Sequence, residues 1–209
     1  MFNLFYASGT SAMAPHILLE TSHLNYSLSK VNLDTKTWKK GNYDALNEKS
    51  YVPLLQISDQ TYLSECAIIL EYIDVHSNNQ FSYEYNSKDY WQLRSWLNYI
   101  ATELHKNFIS PFRNGNWLPN TEDSKSLVWQ RVKPRLSFID SHFENPWLTG
   151  SKFTIADPYL FVMTNWMRRL NYPITNFKNL DAFDKRMRNL SNVKKVLEVE
   201  GAPHSLLDN

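Results

Sequence analysis

Phe2-Asn3-Leu4-Phe5-Tyr6-Ala7-Ser8-Gly9-Thr10-Ser11-Ala12-Met13-Ala14-Pro15-His16 begins with a short apolar run, passes through small polar residues and enters a second apolar segment. Phe2 to Tyr6 has the length and composition of a buried strand. Ala7 to Ser11 is turn material, and Ile17, Leu18 and Leu19 carry a helix to about His23. Ser11 stands close to the N-terminus of that helix, and Pro15 falls in its first turns, where a missing N–H costs least. Tyr26-Ser27-Leu28-Ser29-Lys30-Val31 alternates with period two and reads as a second strand. Strand, helix and strand in that order make a parallel βαβ unit, because parallel neighbours need a crossover connection.

Residues 34–50 are polar and rich in Lys and Asn, which predicts irregular surface chain or a short helix. The segment Tyr51 to Ile57, the turn Ser58-Asp59-Gln60 and the short run Thr61-Tyr62-Leu63 predict a hairpin. Pro53 removes a ladder donor, so it marks a strand start or an unusual turn. Ser64-Glu65 leads into a helix with Ile68, Ile69, Tyr72 and Ile73 on its apolar side. Residues 78–86 are polar and mostly uncharged, as expected of a linker.

No strand pattern returns after the linker. Leu93, Leu97, Ile100, Leu104 and Phe108 recur at helical spacing, and Leu127, Arg131, Pro134, Phe138 and Phe143 mark a second long helical region. Thr154-Ile155-Ala156-Asp157 opens a third helix, with the stripe Ile155, Tyr159, Met163, Trp166 and Leu170. Those four residues form a capping box: Thr154 accepts from the Asp157 N–H, and Asp157 reaches back to Thr154. This assigns Asp157 to folding and not to chemistry. Short helices near 180–188 and 192–199 complete a chain read as an α/β domain (βαβ–ββα) over residues 1–77 and an all-helical domain over residues 87–209.

Composition narrows the function. Over 209 residues, Lys+Arg 22 against Asp+Glu 21 leaves a formal charge of +1, which argues against nucleic acid or an anionic membrane as the main partner. The five glycines include no phosphate-cradling pattern, and the six histidines are scattered without metal-ligand spacing. One cysteine, Cys66, excludes an internal disulfide framework and is compatible with a reducing compartment. Neither a secretory leader nor a membrane span is indicated, so the expectation is a soluble, cytoplasmic protein.

Five pieces taken in order carry a resemblance: Phe5-Tyr6 with Gly9-Thr10-Ser11-Ala12-Met13-Ala14-Pro15-His16; Asn47-Glu48-Lys49 with Val52-Pro53; Leu63-Ser64-Glu65; Trp96 through Lys106; and Phe153-Thr154-Ile155-Ala156-Asp157. Together they are similar to the glutathione S-transferase family, and most to its bacterial beta class. The resemblance runs nearly end to end. It implies a thioredoxin-like N-terminal domain followed by a helical one, reduced glutathione as co-substrate with no further cofactor, and a small apolar electrophile as second substrate. It also implies a homodimer, with the N-terminal domain of one chain against the helices of the other.

The resemblance places Ser11 where beta-class enzymes typically carry a cysteine beside the glutathione sulfur. A serine forms no mixed disulfide, but its hydroxyl can donate to a thiolate, which a helix N-terminus also favours. From the residues alone, Ser11 is as readily a turn residue facing solvent. Tyr6 and Thr10 are nearby hydroxyls that can share the role, although Tyr6 ends a buried strand. Val52-Pro53 is implied to be a cis-proline whose preceding backbone pairs with the glutathione cysteinyl group. Glu65 is implied to accept from the γ-glutamyl ammonium, and Cys66 to bind by backbone. Asn98, Thr102 and His105 fall at i, i+4 and i+7 and are predicted to share one helix face. Asn98, His105 and Lys106 match positions that approach glutathione and its sulfur, and Glu103 one that reaches the partner subunit's site. Lys36 is a weaker candidate for the glycyl carboxylate. Phe108, Phe112 and Trp166 either line an apolar pocket or form core stripes. The chemistry expected is conjugation of glutathione to an apolar electrophile, with Ser11 and His105 at the sulfur. The alternatives are a glutathione- or apolar-ligand-binding protein and a protein-interaction module on the same fold.

Overall fold

The computed structural model describes residues 1–108, 118–144 and 146–200. The chain divides into two compact units: Met1–Gln80 together with the segment from Leu190, and Phe81–Asn189. The final helix therefore belongs to the N-terminal unit and not to the helical stretch 87–209 in which the sequence reading placed it.

The first unit is built on β1 (Phe2–Tyr6), which pairs in parallel with β2 (Tyr26–Asn32) and antiparallel with β5 (Leu54–Ser58). The helix α1 (Met13–Ser22) makes the crossover, and β6 (Thr61–Ser64) closes the predicted hairpin with β5. The helix α2 (Cys66–His76) follows. Leu4 and Phe5 are wholly buried, as a central strand requires. In α1 every residue from Met13 to Leu19 is buried.

Residues 34–50 correct the reading of that segment as irregular surface. Two short strands, β3 (Thr37–Trp38) and β4 (Gly41–Asn42), extend the sheet to the order β4-β3-β2-β1-β5-β6. The chain after them turns inward. Tyr43 is wholly buried and, with Val31 and Leu54, packs around Phe5. Trp38 meets Phe5 edge-on at 4.9 Å. A few aromatics among many polar residues cover one face of the sheet, and average polarity conceals them. Burial pushes the Tyr43 hydroxyl up to about 12, so it stays protonated and donates to the Tyr51 carbonyl at 2.7 Å.

The final helix, α8 (Ser191–Glu200), lies along α1. Lys195 pairs with Glu20 at 2.9 Å, and Asn192 donates to the Thr21 hydroxyl.

The second unit begins with α3 (Lys88–Tyr99), whose N-cap Ser87 accepts from the Tyr90 N–H. A π-helical segment, Ile100–His105, follows before a last α-turn, α4 (Lys106–Phe108). The helices α5 (Glu122–Ser141), α6 (Ala156–Arg169) and α7 (Lys178–Asn189) complete the described part. In α5 the core face is Val128, Val132, Leu136 and Ile139, whereas Leu127 and Phe138 are substantially exposed. The helix α6 is central, with every residue from Ala156 to Met167 buried.

Asp157 anchors the start of α6. Its Oδ2 accepts from Thr154 N at 2.6 Å and from the Thr154 hydroxyl at 3.0 Å, and its Oδ1 accepts from Leu148 N at 3.0 Å. The expected reach back to Thr154 is present. The reciprocal bond differs, because the Thr154 hydroxyl donates to Asp157 and the Asp157 N–H instead meets the Thr154 carbonyl at 3.1 Å. Burial pushes the Asp157 carboxyl from its ordinary 3.8 up to about 6, against the pull of these donors. A folded-state pKa above the unfolded one means that the native protein holds this proton more tightly. The stability this contributes is full below about pH 4 and is lost as pH rises through about 6. Asp157→Asn is expected to remove that slope from urea-unfolding free energies. Asp157→Ala, which strands two backbone N–H groups, is expected to cost about 3 kcal/mol. A constant wild-type-minus-Asn difference between pH 4 and 6 would contradict the assignment.

Candidate functional site

The register of the sheet gathers a site at one edge of the first unit. Phe5 sits opposite Leu54, and Leu54 opposite Ser64. The turn leaving β1, the residues entering β5 and the residues leaving β6 therefore meet at the same end. These are Ala7–Ser11, Val52-Pro53 and Glu65-Cys66. The Val52-Pro53 peptide is cis.

Ser11 is 3% exposed, and its hydroxyl has no hydrogen-bond partner among the described residues. Its carbonyl accepts from the Ala14 N–H at 3.1 Å and from the Cys66 thiol at 3.5 Å. Two residues far apart in sequence, each at the entry to a helix, are thus in contact. Cys66 is a packed thiol, 6% exposed, as the first residue of α2. Thr10 is committed to the loop: its hydroxyl donates to the Ala7 carbonyl at 2.7 Å and accepts from the Ala12 N–H at 3.3 Å. Tyr6 is buried, and burial, reinforced by the carboxylate of Glu200, raises its pKa above the ordinary phenol value. It stays protonated and offers no phenolate base.

Glu65 has φ of 73° and ψ of 115°, an uncommon conformation for a residue with a side chain. Its carboxylate is met by Lys49 at 2.7 Å, and Lys49 also donates to the Ser64 hydroxyl at 2.9 Å. Lys49 was not assigned a role from sequence, although it lies inside the quoted Asn47-Glu48-Lys49 piece. A cation between that piece and an acidic helix entry was the available signal. The chain leading to Val52 is held by Tyr43 and Asn47, which both donate to the Tyr51 carbonyl, at 2.7 and 2.8 Å. Lys36 lies in the turn after β2 with φ of 55°, and its carbonyl accepts from the Tyr43 N–H.

In the second unit the π-segment changes the predicted face. Bonding of the i→i+5 kind shifts the residues that follow it around the helix axis. Asn98 and Thr102 are exposed, whereas His105 is drawn inward. Its Nδ1 lies 2.7 Å from the Tyr159 hydroxyl, and its ring meets that of Trp166 edge-on at 5.1 Å. Lys106 is exposed, and Glu103 accepts from Arg135 at 2.8 Å. Phe108 is wholly buried and Trp166 is 3% exposed, and their rings meet edge-on at 6.3 Å within this unit. Phe112 lies outside the described residues. Among the described residues, no group of three or more His, Cys, Asp or Glu is placed to hold a metal ion, and no helix is long and apolar enough to cross a membrane.

Comparison with known proteins agrees with this architecture. The family model for the glutathione S-transferase N-terminal domain matches residues 11–76, and that for the C-terminal domain matches residues 93–191. Glutathione S-transferase GstA of Escherichia coli O157:H7 is 35% identical over 202 residues, which is 95% of this chain and 98% of that protein. The solved bacterial beta-class enzyme of Sphingomonas chungbukensis has a TM-score of 0.86 at 28% identity, over 96% of this chain and 99% of its own. A sphingomonad glutathione S-transferase complexed with glutathione has a TM-score of 0.86 at 26% identity, over 95% and 98%. The fold is that of a thioredoxin-like domain joined to a helical one. The chain belongs to the glutathione S-transferase family.

The bond between His105 and Tyr159 is directly accessible to test. Tyr159→Phe is expected to move the His105 ring-proton resonances and to lower stability by about 1 kcal/mol. An unchanged His105 spectrum would show that the bond is absent in solution.

Proposed function

We propose that this protein binds reduced glutathione at the edge of its first unit and conjugates it, through its sulfur and with loss of the thiol proton, to a small apolar electrophile. The observation that carries the reading is Ser11 at the entry to α1: the residue is 3% exposed, its hydroxyl has no hydrogen-bond partner among the described residues, and its carbonyl accepts from the thiol of Cys66, the first residue of α2. Two helix N-termini at one place favour negative charge. Glutathione has two suitable groups, the thiolate and the γ-glutamyl α-carboxylate. Val52, preceding the cis bond, offers backbone polar groups for the cysteinyl unit. Glu65 offers an acceptor for the α-ammonium, and Lys49 sets the position of that carboxylate.

Ser11 acts by donating to the thiolate. One charge-assisted hydrogen bond contributes about 1.5–3 kcal/mol, enough to lower a thiol pKa by roughly one to two units at about 1.4 kcal/mol per unit. The protein thereby raises the fraction of nucleophile present at neutral pH and holds it in position for attack. The electrophile is the group that accepts the sulfur, and its leaving group departs with the bonding electrons. A serine at this position cannot form a protein–glutathione disulfide, so thiol-transfer chemistry through residue 11 is excluded. His105 is carried as a candidate proton acceptor on the family resemblance. The same resemblance supports a homodimer, which sedimentation would test.

The test is conjugation of glutathione to a generic aryl halide, followed by absorbance. Ser11→Ala is expected to lower kcat/KM roughly tenfold or more and to raise the pKa of bound glutathione. Ser11→Cys is expected to yield a glutathione adduct on the protein, visible as a mass increase that reductant reverses. Undiminished turnover in Ser11→Ala removes the hydroxyl from the mechanism. Glutathione binding without turnover in the wild type leaves a binding protein on this fold.

A further inference from the structure

One ion pair at the edge of the first unit is held more firmly than its strength explains. Lys49 Nζ lies 2.7 Å from Glu65 Oε1 and donates to the Ser64 hydroxyl at 2.9 Å. The Lys49 and Glu65 side chains are 51% and 64% exposed, so water screens the pair and it adds little to stability. The backbone on both sides is nevertheless fixed. Glu65 has φ of 73° at the entry to α2. Lys49 sits on a turn closed by Asn47, whose carbonyl accepts from the Ser50 N–H at 2.8 Å and whose Oδ1 accepts from the Lys49 N–H at 3.3 Å. Ser50, with φ of 56°, donates through its hydroxyl to Asp44 at 2.6 Å. A positive φ beside Lys49 and another at Glu65 thus present one cation and one anion side by side, and backbone strain of this kind gathers at functional sites.

The γ-glutamyl end of glutathione is an α-amino-acid zwitterion, with an ammonium and a carboxylate on the same carbon. Glu65 suits the ammonium. The carboxylate needs a donor of its own, and the Cys66 thiol is directed instead at the Ser11 carbonyl. The N-terminal end of α2 favours an anion through its dipole, and Lys49 supplies a full positive charge beside it. With the ligand's carboxylate toward Lys49 and its ammonium toward Glu65, charges of opposite sign are nearest neighbours throughout. A head group carrying only one of the two charges leaves half of the pair unmatched.

We propose that Lys49 is a specificity-determining residue of the glutathione site: together with Glu65 it reads the zwitterion, Lys49 taking the α-carboxylate and Glu65 the α-ammonium. This rests on the glutathione reading and deepens it, because it favours thiols whose α-amino and α-carboxyl groups are both unmodified. Lys49 then does more than hold the Glu65 carboxylate in place. A holding role acts through the ligand's ammonium, whereas a reading role acts through its carboxylate.

The experiment titrates the full chain with reduced glutathione and with two analogues, each lacking one charge. A γ-aminobutyryl head in place of γ-glutamyl keeps the ammonium and loses the carboxylate; a glutaryl head keeps the carboxylate and loses the ammonium. Lys49→Met is expected to weaken glutathione and the glutaryl analogue by the same factor, about fivefold, and to leave the γ-aminobutyryl analogue within about twofold of wild type. Glu65→Gln is expected to give the mirror pattern, weakening glutathione and the γ-aminobutyryl analogue and sparing the glutaryl one. The part of glutathione affinity that depends on Lys49 is expected to fade at high salt. Lys195→Met removes an exposed cation that pairs with Glu20 near the far end of α1, and is expected to leave all three affinities unchanged. An analogue too weak to titrate is compared as a thiol substrate by kcat/KM with the aryl halide, where the same ratios are expected. Equal losses for glutathione and the γ-aminobutyryl analogue in Lys49→Met overturn the proposal and leave Lys49 as a support for Glu65. Unchanged glutathione affinity in Lys49→Met overturns it as well. A wild-type protein with no saturable glutathione binding refutes the glutathione reading itself, a result distinct from any change seen only in the variants.

Discussion

The first unit depends on the pairing of β1 with β2 on one side and β5 on the other. Phe5 opposite Leu54, and Leu54 opposite Ser64, brings the end of β1, the start of β5 and the end of β6 to one edge. A one-residue slip would turn Phe5 and Leu54 away from the Tyr43 side of the sheet and move the Ser11 turn away from Cys66. The hydrophobic cluster around Phe5 opposes that slip, because Val31, Tyr43 and Leu54 all pack on it. The core and the site are therefore consequences of one register.

That register also accounts for the chemistry offered at the edge. Helices α1 and α2 both begin there, so the positive ends of two helix dipoles lie at the same edge without any glycine-rich cradle. The charged residues nearby are few and already arranged: Lys49 on Glu65, and Glu200 behind Gly9. Polarity at the edge comes mainly from backbone, which suits a peptide-like ligand with its own amides and carboxylates. The family assignment rests on the whole chain, whereas the role proposed for Ser11 rests on the local geometry alone.

The broad plan was legible in the sequence because its signals are local. The βαβ opening, the hairpin, the linker and the helical stripes are periodicities within a dozen residues, and the Thr154–Asp157 box is shorter still. What was missed is non-local. Tyr43 reads as one aromatic in a polar tract, and only the sheet beneath it shows that it is core. The π-segment that draws His105 away from Asn98 and Thr102 has no signature in a spacing argument that assumes an α-helix. Phe108 and Trp166 carry both a pocket and a core reading in the sequence, and their burial shows only that both are packed. Glu200 and His16, whose side chains meet at 3.0 Å, are 184 residues apart, and nothing in either neighbourhood announces the other.

The central claim is that glutathione binds at the edge where the Gly9 turn, the cis Val52-Pro53 bond and the entry to α2 meet. The most direct measurement is a map of backbone amide shifts in the isotope-labelled chain during titration with reduced glutathione. The account predicts saturable shifts concentrated at Gly9–Ser11, Val52 and Glu65-Cys66. Shifts that leave these residues unmoved, or a titration without any saturable change, would contradict it.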